Sequence, residues 1–482
     1  MLHNIETRGY QGMSDDCDNN PSSSSRRRNL LQRPLLLALV VLLPISVPVL
    51  IYALSSRPVE NKSWVESSAK TFSRCQGIDW QQACEQILNS SSTRRHLVSE
   101  DYSQYLTYDA NCLLVYRMEL EANITFPYYS NQFVQAGGNQ TMVVFIQHGA
   151  LRDADYSYCS FQQLMLEQTY RPFDQILVIA PDFNFKNDEG VLSTDAFWNS
   201  TKPWGDWRIG AESDPECCGN SNANSTSTIS SFEVLDQMFG VLTNTQLYPN
   251  IDKISFVGHS AGGQMVHRYA MLSQLAAKYD AGKGTADLEF IVANPSSYVY
   301  LTDYRYKYNC GNCECSSEKC VCDQNCTQPA GLTVPDESGV CMDNKYNDWP
   351  YGLGMFSDGS QYSIPYAIRA PCNTARIYRE RSVTYLVGQN DTCNTDLPTC
   401  SPDCWKREEY LPDERPCYSH QIDTRCPAML EGPNRRDRGI LYMQHLEFVY
   451  GEKTHVLHVI PDAGHNATAM FGSSIGLQEL FD

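Results

Sequence analysis

Positive charge is in short supply in this 482-residue chain: Lys and Arg number 37 against 56 Asp and Glu, a formal net charge of −19. Nucleic-acid binding needs a basic surface, so no nucleic-acid partner is expected. Charge of either sign is modest at 19%, and hydrophobic residues make up 42%, which excludes a disordered or collagen-like chain and leaves ample material for a large core. No internal repeat is present. From Leu35 to Leu54 charge is missing altogether: LLLALVVLLPISVPVLIYAL is long enough to span a bilayer as a helix.

Arg26, Arg27, Arg28 and Arg33 precede that apolar run. Positive charge stays on the cytoplasmic side, so residues 1–34 are expected to be a cytoplasmic tail, 35–54 a signal-anchor and everything after Leu54 to lie across the membrane, a single-pass type II arrangement in the secretory pathway or at the cell surface. The competing reading is a cleaved signal with Ala53-Leu54-Ser55 as exit site, which would make the protein secreted; the run is longer than the usual 7–15-residue signal core. Two further biases agree with an ectodomain. Sequons occur at Asn61, Asn89, Asn123, Asn139, Asn199, Asn224, Asn325, Asn390 and Asn466, none before the apolar run. All 20 cysteines but Cys17 also follow it, as expected of a disulfide-bonded, oxidising-compartment domain, and an odd number there leaves one thiol free or paired between chains.

Residues 55–105 are rich in Ser and charge and read as a stalk, with Cys75 and Cys84 as its staple. Beyond it, Met142–Gln147, Ile176–Ala180, Ile254–Val257, Leu288–Ala293, Val383–Val387 and His455–Ile460 are short continuous apolar runs, the pattern of strands buried on both faces. Ser230–Thr243, Ala261–Lys278 and Arg435–Tyr450 suit helices, and Ser230 with Glu233 has capping-box spacing. Alternating strands and helices predict one α/β domain over 106–482, a mainly parallel sheet covered on both faces. Cys-rich stretches at about 304–351 and 393–436 read as loop or cap insertions.

The stretch Gly258-His-Ser-Ala-Gly262 stands between an apolar strand and a helix, the context that makes G-x-S-x-G a nucleophile elbow with Ser260 at its tip. His148-Gly149-Ala150 follows MVVFIQ, where a backbone N–H from Ala150 or Gly149 can join that of Ala261 in an oxyanion hole. Asp391 stands three residues after Gly388 at a strand end, and His465 follows the last strand in Asp462-Ala-Gly-His465. The chain order Ser, Asp, His is that of one fold among the serine hydrolases. Asp396 and Asp358 are the other acids considered, and Asp391 is preferred for its place at the strand end.

On these anchors the chain from Cys112 to Asp482 resembles the α/β-hydrolase superfamily. The resemblance implies Ser260 as nucleophile, His465 as general base, Asp391 as the acid orienting it, Ala261 and Ala150 or Gly149 as oxyanion donors, and acyl transfer from an ester to water with no cofactor. The expected substrate is a small-molecule or lipid-like ester. A serine peptidase on the same fold and an inert hydrolase-fold adhesion or receptor ectodomain are the rival readings; the latter normally loses Ser or His.

Three further features invite expectations. The cluster Cys310, Cys313, Cys315, Cys320, Cys322 and Cys326 looks zinc-like, but beside a sequon in an ectodomain it reads as disulfides, and no metal site is expected. Adjacent Cys217 and Cys218 are ambiguous, since neighbouring cysteines usually bond elsewhere. Trp198, Trp204 and Trp207 read as packing under a long loop, in preference to a substrate wall. Asn390 and Asn466 adjoin the proposed acid and base, so both are expected to stay bare of glycan, and His465 is expected to carry Asn466 into the cleft with it.

Overall fold

A computed structural model describes residues 106–108, 113–120, 124–202, 204–218, 228–282, 284–306, 313–315, 320–322, 331–335, 345–354, 364–369, 373–392, 422–423 and 425–482. The expected tail, signal-anchor and stalk over 1–105 lie outside the described residues, as do Asn61, Asn89, Asn123, Asn224, Asn325, Asp358 and Asp396. Among the described residues no helix is long and apolar enough to cross a membrane.

Nine strands form one sheet: β1 (Leu106–Tyr108), β2 (Leu114–Glu119), β3 (Thr125–Ser130), β4 (Met142–Gln147), β5 (Ile176–Pro181), β6 (Lys253–His259), β7 (Asp287–Ala293), β8 (Ser382–Gly388) and β9 (Val456–Ile460). Their order is β1-β2-β3-β5-β4-β6-β7-β8-β9. From β5 to β9 every pairing is parallel, and β1, β2 and β3 add an antiparallel edge. The continuous apolar runs are explained by this placement, since every residue of β4 and of β5 is buried. Phe145, Phe256 and Phe290 are register partners on β4, β6 and β7, and their rings stack at 4.4 and 5.5 Å between centroids, a ladder tying three parallel strands together.

Helices cover both faces. On one side lie α1 (Ala154–Glu167), α6 (Ala467–Phe471) and α7 (Ser474–Phe481); on the other lie α2 (Ser231–Leu242), α3 (Ala261–Leu272) and α5 (Arg435–Tyr450), each face with its own apolar cluster. The predicted capping box opens α2: Ser230 Oγ accepts from Phe232 N–H and Glu233 Oε2 accepts from Ser230 N–H. The helix expected over Ala261–Lys278 is two helices, α3 and α4 (Gln274–Ala281). Ser273 breaks it because its backbone is extended, and its Oγ accepts from Ala276 N–H to cap α4. Buried Arg381 takes over the end of α3, donating to the carbonyls of Ala270 and Ser273.

The first insertion leaves the sheet after β7 and returns at β8, where the described residues hold two short ribbons, Arg305–Tyr306 with Leu332–Thr333 and Cys313–Cys315 with Cys320–Cys322. The side chains of that cysteine cluster lie outside the described residues. Cys217 and Cys218, ambiguous from sequence, bond to each other. Cys218 takes a left-handed backbone (φ 71°), and both residues are buried in the loop that follows β5. Cys426 is also disulfide-bonded.

Candidate active site

After β4 the chain adds β5 on one side of β4, then crosses to add β6 on the other, so the strand order reverses between β4 and β6. Open parallel sheets bind ligands at the carboxyl ends of the strands at such a point. Ser260 leaves β6 there, and His148-Gly149-Ala150 leave β4 beside it.

Ser260 has φ 58° and ψ −118°, a strained conformation for a residue with a side chain, and it separates β6 from α3 without a residue to spare. The glycines around it are dictated by contact. A Cβ on Gly258 would collide with the Gly262 carbonyl, one on Gly262 with Gln147 O, and one on Gly263 would lie 2.7 Å from Ala293 O. The close approach of Gly262 to Gln147 and His148 seats the loop carrying Gly149 and Ala150 against the elbow. Ala261 is the first residue of α3, so its N–H belongs to the turn that helix geometry leaves unbonded.

His465 Nε2 lies 2.9 Å from Ser260 Oγ, and its Nδ1 lies 2.7 Å from Asp391 Oδ2. The network assigns the proton to Nδ1, which donates to Asp391, and leaves Nε2 to accept from the serine hydroxyl. His465 is 4% exposed and Asp391 2%, whereas Ser260 is half-buried and reachable. Asp391, the acid preferred from sequence, is brought to the histidine. The residues come from three strand ends: β6, β8 and β9.

Two supporting residues, Arg435 and Asn294, escaped the sequence reading, and His148 of the H-G-A stretch takes an orientation the sequence did not show. Arg435, the first residue of α5, is 2% exposed with Nη1 3.7 Å from Asp391 Oδ1, and Arg436 N–H donates to Asp391 O. Asn294, just past β7, bonds to both neighbouring loops. His148 turns inward: Nδ1–H donates to Gly149 O, Nε2 accepts from Phe183 N–H, and the ring meets Trp207 edge-on at 4.8 Å. Burial drives the His148 pKa down to about 4, so this histidine is neutral and braces the loop. Trp198 and Trp207 are buried among Phe126 and Phe183, as the packing reading expected, and Trp204 is half-buried against the same cluster.

The expectation that Asn466 shares the cleft with His465 is not met. Asn466 is exposed, its Oδ1 accepting from Ala469 N–H to cap α6, while His465 beside it is buried. Adjacent side chains in extended backbone point to opposite sides, so glycan at Asn466 would say nothing about the base.

The strand order, with a strained serine-bearing turn after β6 and an acid and a histidine after β8 and β9, decides the architecture. This is the α/β-hydrolase fold. No protein-family model and no curated protein sequence matches the chain. Among solved structures, poly(aspartic acid) hydrolase-1 from Sphingomonas sp. KT-1 aligns at 16% identity and TM-score 0.41, over 76% of this chain and 98% of that one. LpqC, a poly(3-hydroxybutyrate) depolymerase from Bordetella parapertussis, aligns at 16% and 0.39 over 76% and 93%. The siderophore hydrolase EstA from Aspergillus nidulans aligns at 10% and 0.33 over 80% and 96%. Values this low carry no argument, and the α/β-hydrolase assignment stands on the strand order and the elbow.

Proposed function

We propose that the domain is a serine hydrolase of carboxylic esters, held at a membrane by Leu35–Leu54 with its active site on the side away from the cytosol. One observation carries the enzymatic reading: the unbroken chain Ser260 Oγ, His465 Nε2, His465 Nδ1, Asp391 Oδ2, with bonds of 2.9 and 2.7 Å. An inert adhesion module has no need of it.

In this reading His465 Nε2 takes the Ser260 proton as Oγ attacks the ester carbonyl, and Asp391 stabilises the imidazolium formed. The N–H groups of Ala261 and of Ala150 or Gly149 receive the oxyanion. His465 then hands its proton to the departing alkoxide, leaving an acyl-serine. Water, deprotonated by the same Nε2, attacks the acyl carbon and Ser260 recovers its proton as the acid departs. The substrate class proposed is a small-molecule or lipid-like ester. The location rests on the uncharged run, the arginines before it and the placement of every sequon after it.

The test is labelling of the detergent-extracted full-length protein with a fluorophosphonate and mapping of the adduct. Label is expected on Ser260, absent in Ser260→Ala, and in Asp391→Asn the hydrolysis rate should fall by about 10³–10⁴-fold. Folded protein that takes no label and cleaves no ester would favour the adhesion reading. Recovery of a chain starting near Ser56 would replace the anchor by a cleaved signal.

A further inference from the structure

Strand β7 supplies no member of the Ser260, His465, Asp391 set, yet it lies between β6, which carries the serine, and β8, which carries the acid. Its last residue, Ala293, and Asn294 just after it touch all three segments. Ala293 O accepts from Ser260 N–H at 2.9 Å, pinning the elbow itself. Asn294, fully buried and left-handed at φ 43°, ends the strand and brings its amide back across the end of β8. Its own N–H donates to Leu386 O at 2.9 Å. Its Oδ1 accepts from Gly388 N–H at 2.8 Å, three residues before Asp391, and its Nδ2 donates to Gly464 O at 3.2 Å, immediately before His465.

The two loops present opposite polarity to this position: a backbone N–H from one and a carbonyl from the other. A side chain that gauges both must carry a donor and an acceptor about 2 Å apart on a short stem and must tolerate left-handed backbone, which is a description of asparagine. The gap it bridges is tight, since a Cβ on Gly388 would stand 2.6 Å from Ala463 O and 2.7 Å from Gly464 O. The acid and histidine loops also meet directly, through Asn390 N–H to Ala463 O at 2.8 Å. Asn294 therefore sets their spacing and does not create their contact.

We propose that Asn294 is a positioning residue of the active site, its amide holding the loops of Asp391 and His465 at the separation that lets the histidine bond the acid and the serine at once. The proposal rests on the reading of Ser260, His465 and Asp391 as the reacting group of residues.

The test uses Asn294→Gly, which removes both side-chain bonds yet accepts the left-handed backbone, and Asn294→Asp, which keeps the shape and the acceptor for Gly388 but sets an oxygen against Gly464 O. Working sites in full-length protein are counted by fluorophosphonate titration, and kcat and KM for p-nitrophenyl acetate are expressed per titrated site. For both variants kcat per site is expected to fall by about 10–100-fold with KM within about threefold of the parent, because a small misplacement degrades the reacting geometry and not binding. The downfield proton resonance of the His465 Nδ1–H to Asp391 bond is expected to broaden or move upfield. Fewer titrated sites with kcat per site and the resonance unchanged would mean that Asn294 merely supports the fold, and the proposal would be withdrawn. If Asn294→Gly does not fold, the isosteric Asn294→Asp decides by the same measurements. If the parent takes no label, the hydrolase reading fails, and the resonance comparison still decides whether Asn294 sets the His465–Asp391 pair.

Discussion

Arg435 Nη1 stands 3.7 Å from Asp391 Oδ1, while His465 holds Oδ2 of the same carboxylate, so a buried cation and the proposed base share one acid. The Arg435 charge opposes a second positive charge on His465. Among the described groups facing this imidazole are Asp391, the Ser260 hydroxyl and the His259 ring, whose centroid lies 4.5 Å away. Arg435→Met removes the opposing cation and should move the rising limb of kcat/KM against pH upward by roughly half to one unit. Arg435→Lys should restore most of the original position. Steady-state profiles from pH 5 to 8.5 check this, and an unmoved limb in Arg435→Met would show that the arginine does not act on the base.

Two glycines near Ser260 should respond oppositely. Gly262→Ala drives a Cβ into Gln147 O and toward His148 O at 2.6 Å, so it should push the Gly149–Ala150 loop off the elbow and cost about 1–3 kcal/mol of stability as overpacking does. Gly149→Ala meets nothing within 4 Å and should leave stability unchanged. Thermal unfolding with fluorophosphonate labelling rates separates them. Equal tolerance of both would contradict the close seating of loop on elbow.

Acid should loosen the domain. His148, His267 and His445 are buried, and each accepts a backbone N–H at Nε2, from Phe183, Val299 and Leu301. Burial lowers all three pKa values, His148 to about 4. Since the unfolded chain binds protons at about 6.5, their stabilisation is complete above that pH and is lost as pH falls toward 4, on the order of 3 kcal/mol for His148 alone. Asp182 and Glu431 act with the opposite sign: burial raises them to about 7 and about 8, so their contribution is present below the ordinary carboxylate range and lost as pH rises through those values. The melting temperature should therefore drop between pH 7 and 4.5, and drop more steeply in Glu431→Gln. A flat curve, or one that Glu431→Gln does not steepen, would count against this balance.

Asn139 is exposed in the turn before β4, whereas Asn390 is half-buried with its N–H bonded to Ala463 O and the Asn466 amide caps α6. In secretory-pathway expression, glycopeptide mass spectrometry should find Asn139 occupied and Asn390 and Asn466 largely bare. High occupancy at Asn390 would require the acid loop to open before the domain folds.

Much of the framework is legible in the amino-acid order because it is local. Continuous apolar runs announce strands buried on both faces, Ser230 and Glu233 announce a helix start, and G-H-S-A-G between strand and helix announces a strained turn, each decided by neighbours within a few residues. Asp391 and His465 could be proposed because strand ends are readable and the fold puts strand ends together. The sequence did not disclose that Cys217 bonds its own neighbour, nor that Ser273 splits a helix whose last carbonyls Arg381, over a hundred residues on, then satisfies.

What the sequence alone determined is which segments become strands and helices and which side chains arrive at the strand ends. Only the tertiary structure decided how those ends are spaced. Asn294 and Arg435 carry no periodicity or motif of their own, and the H-G-A motif does not show that His148 turns inward. Their roles come from bonds to residues between 35 and 170 positions away in the chain, such as His148 to Phe183 and Asn294 to Gly464. Such partners are chosen by packing, because a buried donor or acceptor must be satisfied by whatever the fold sets beside it.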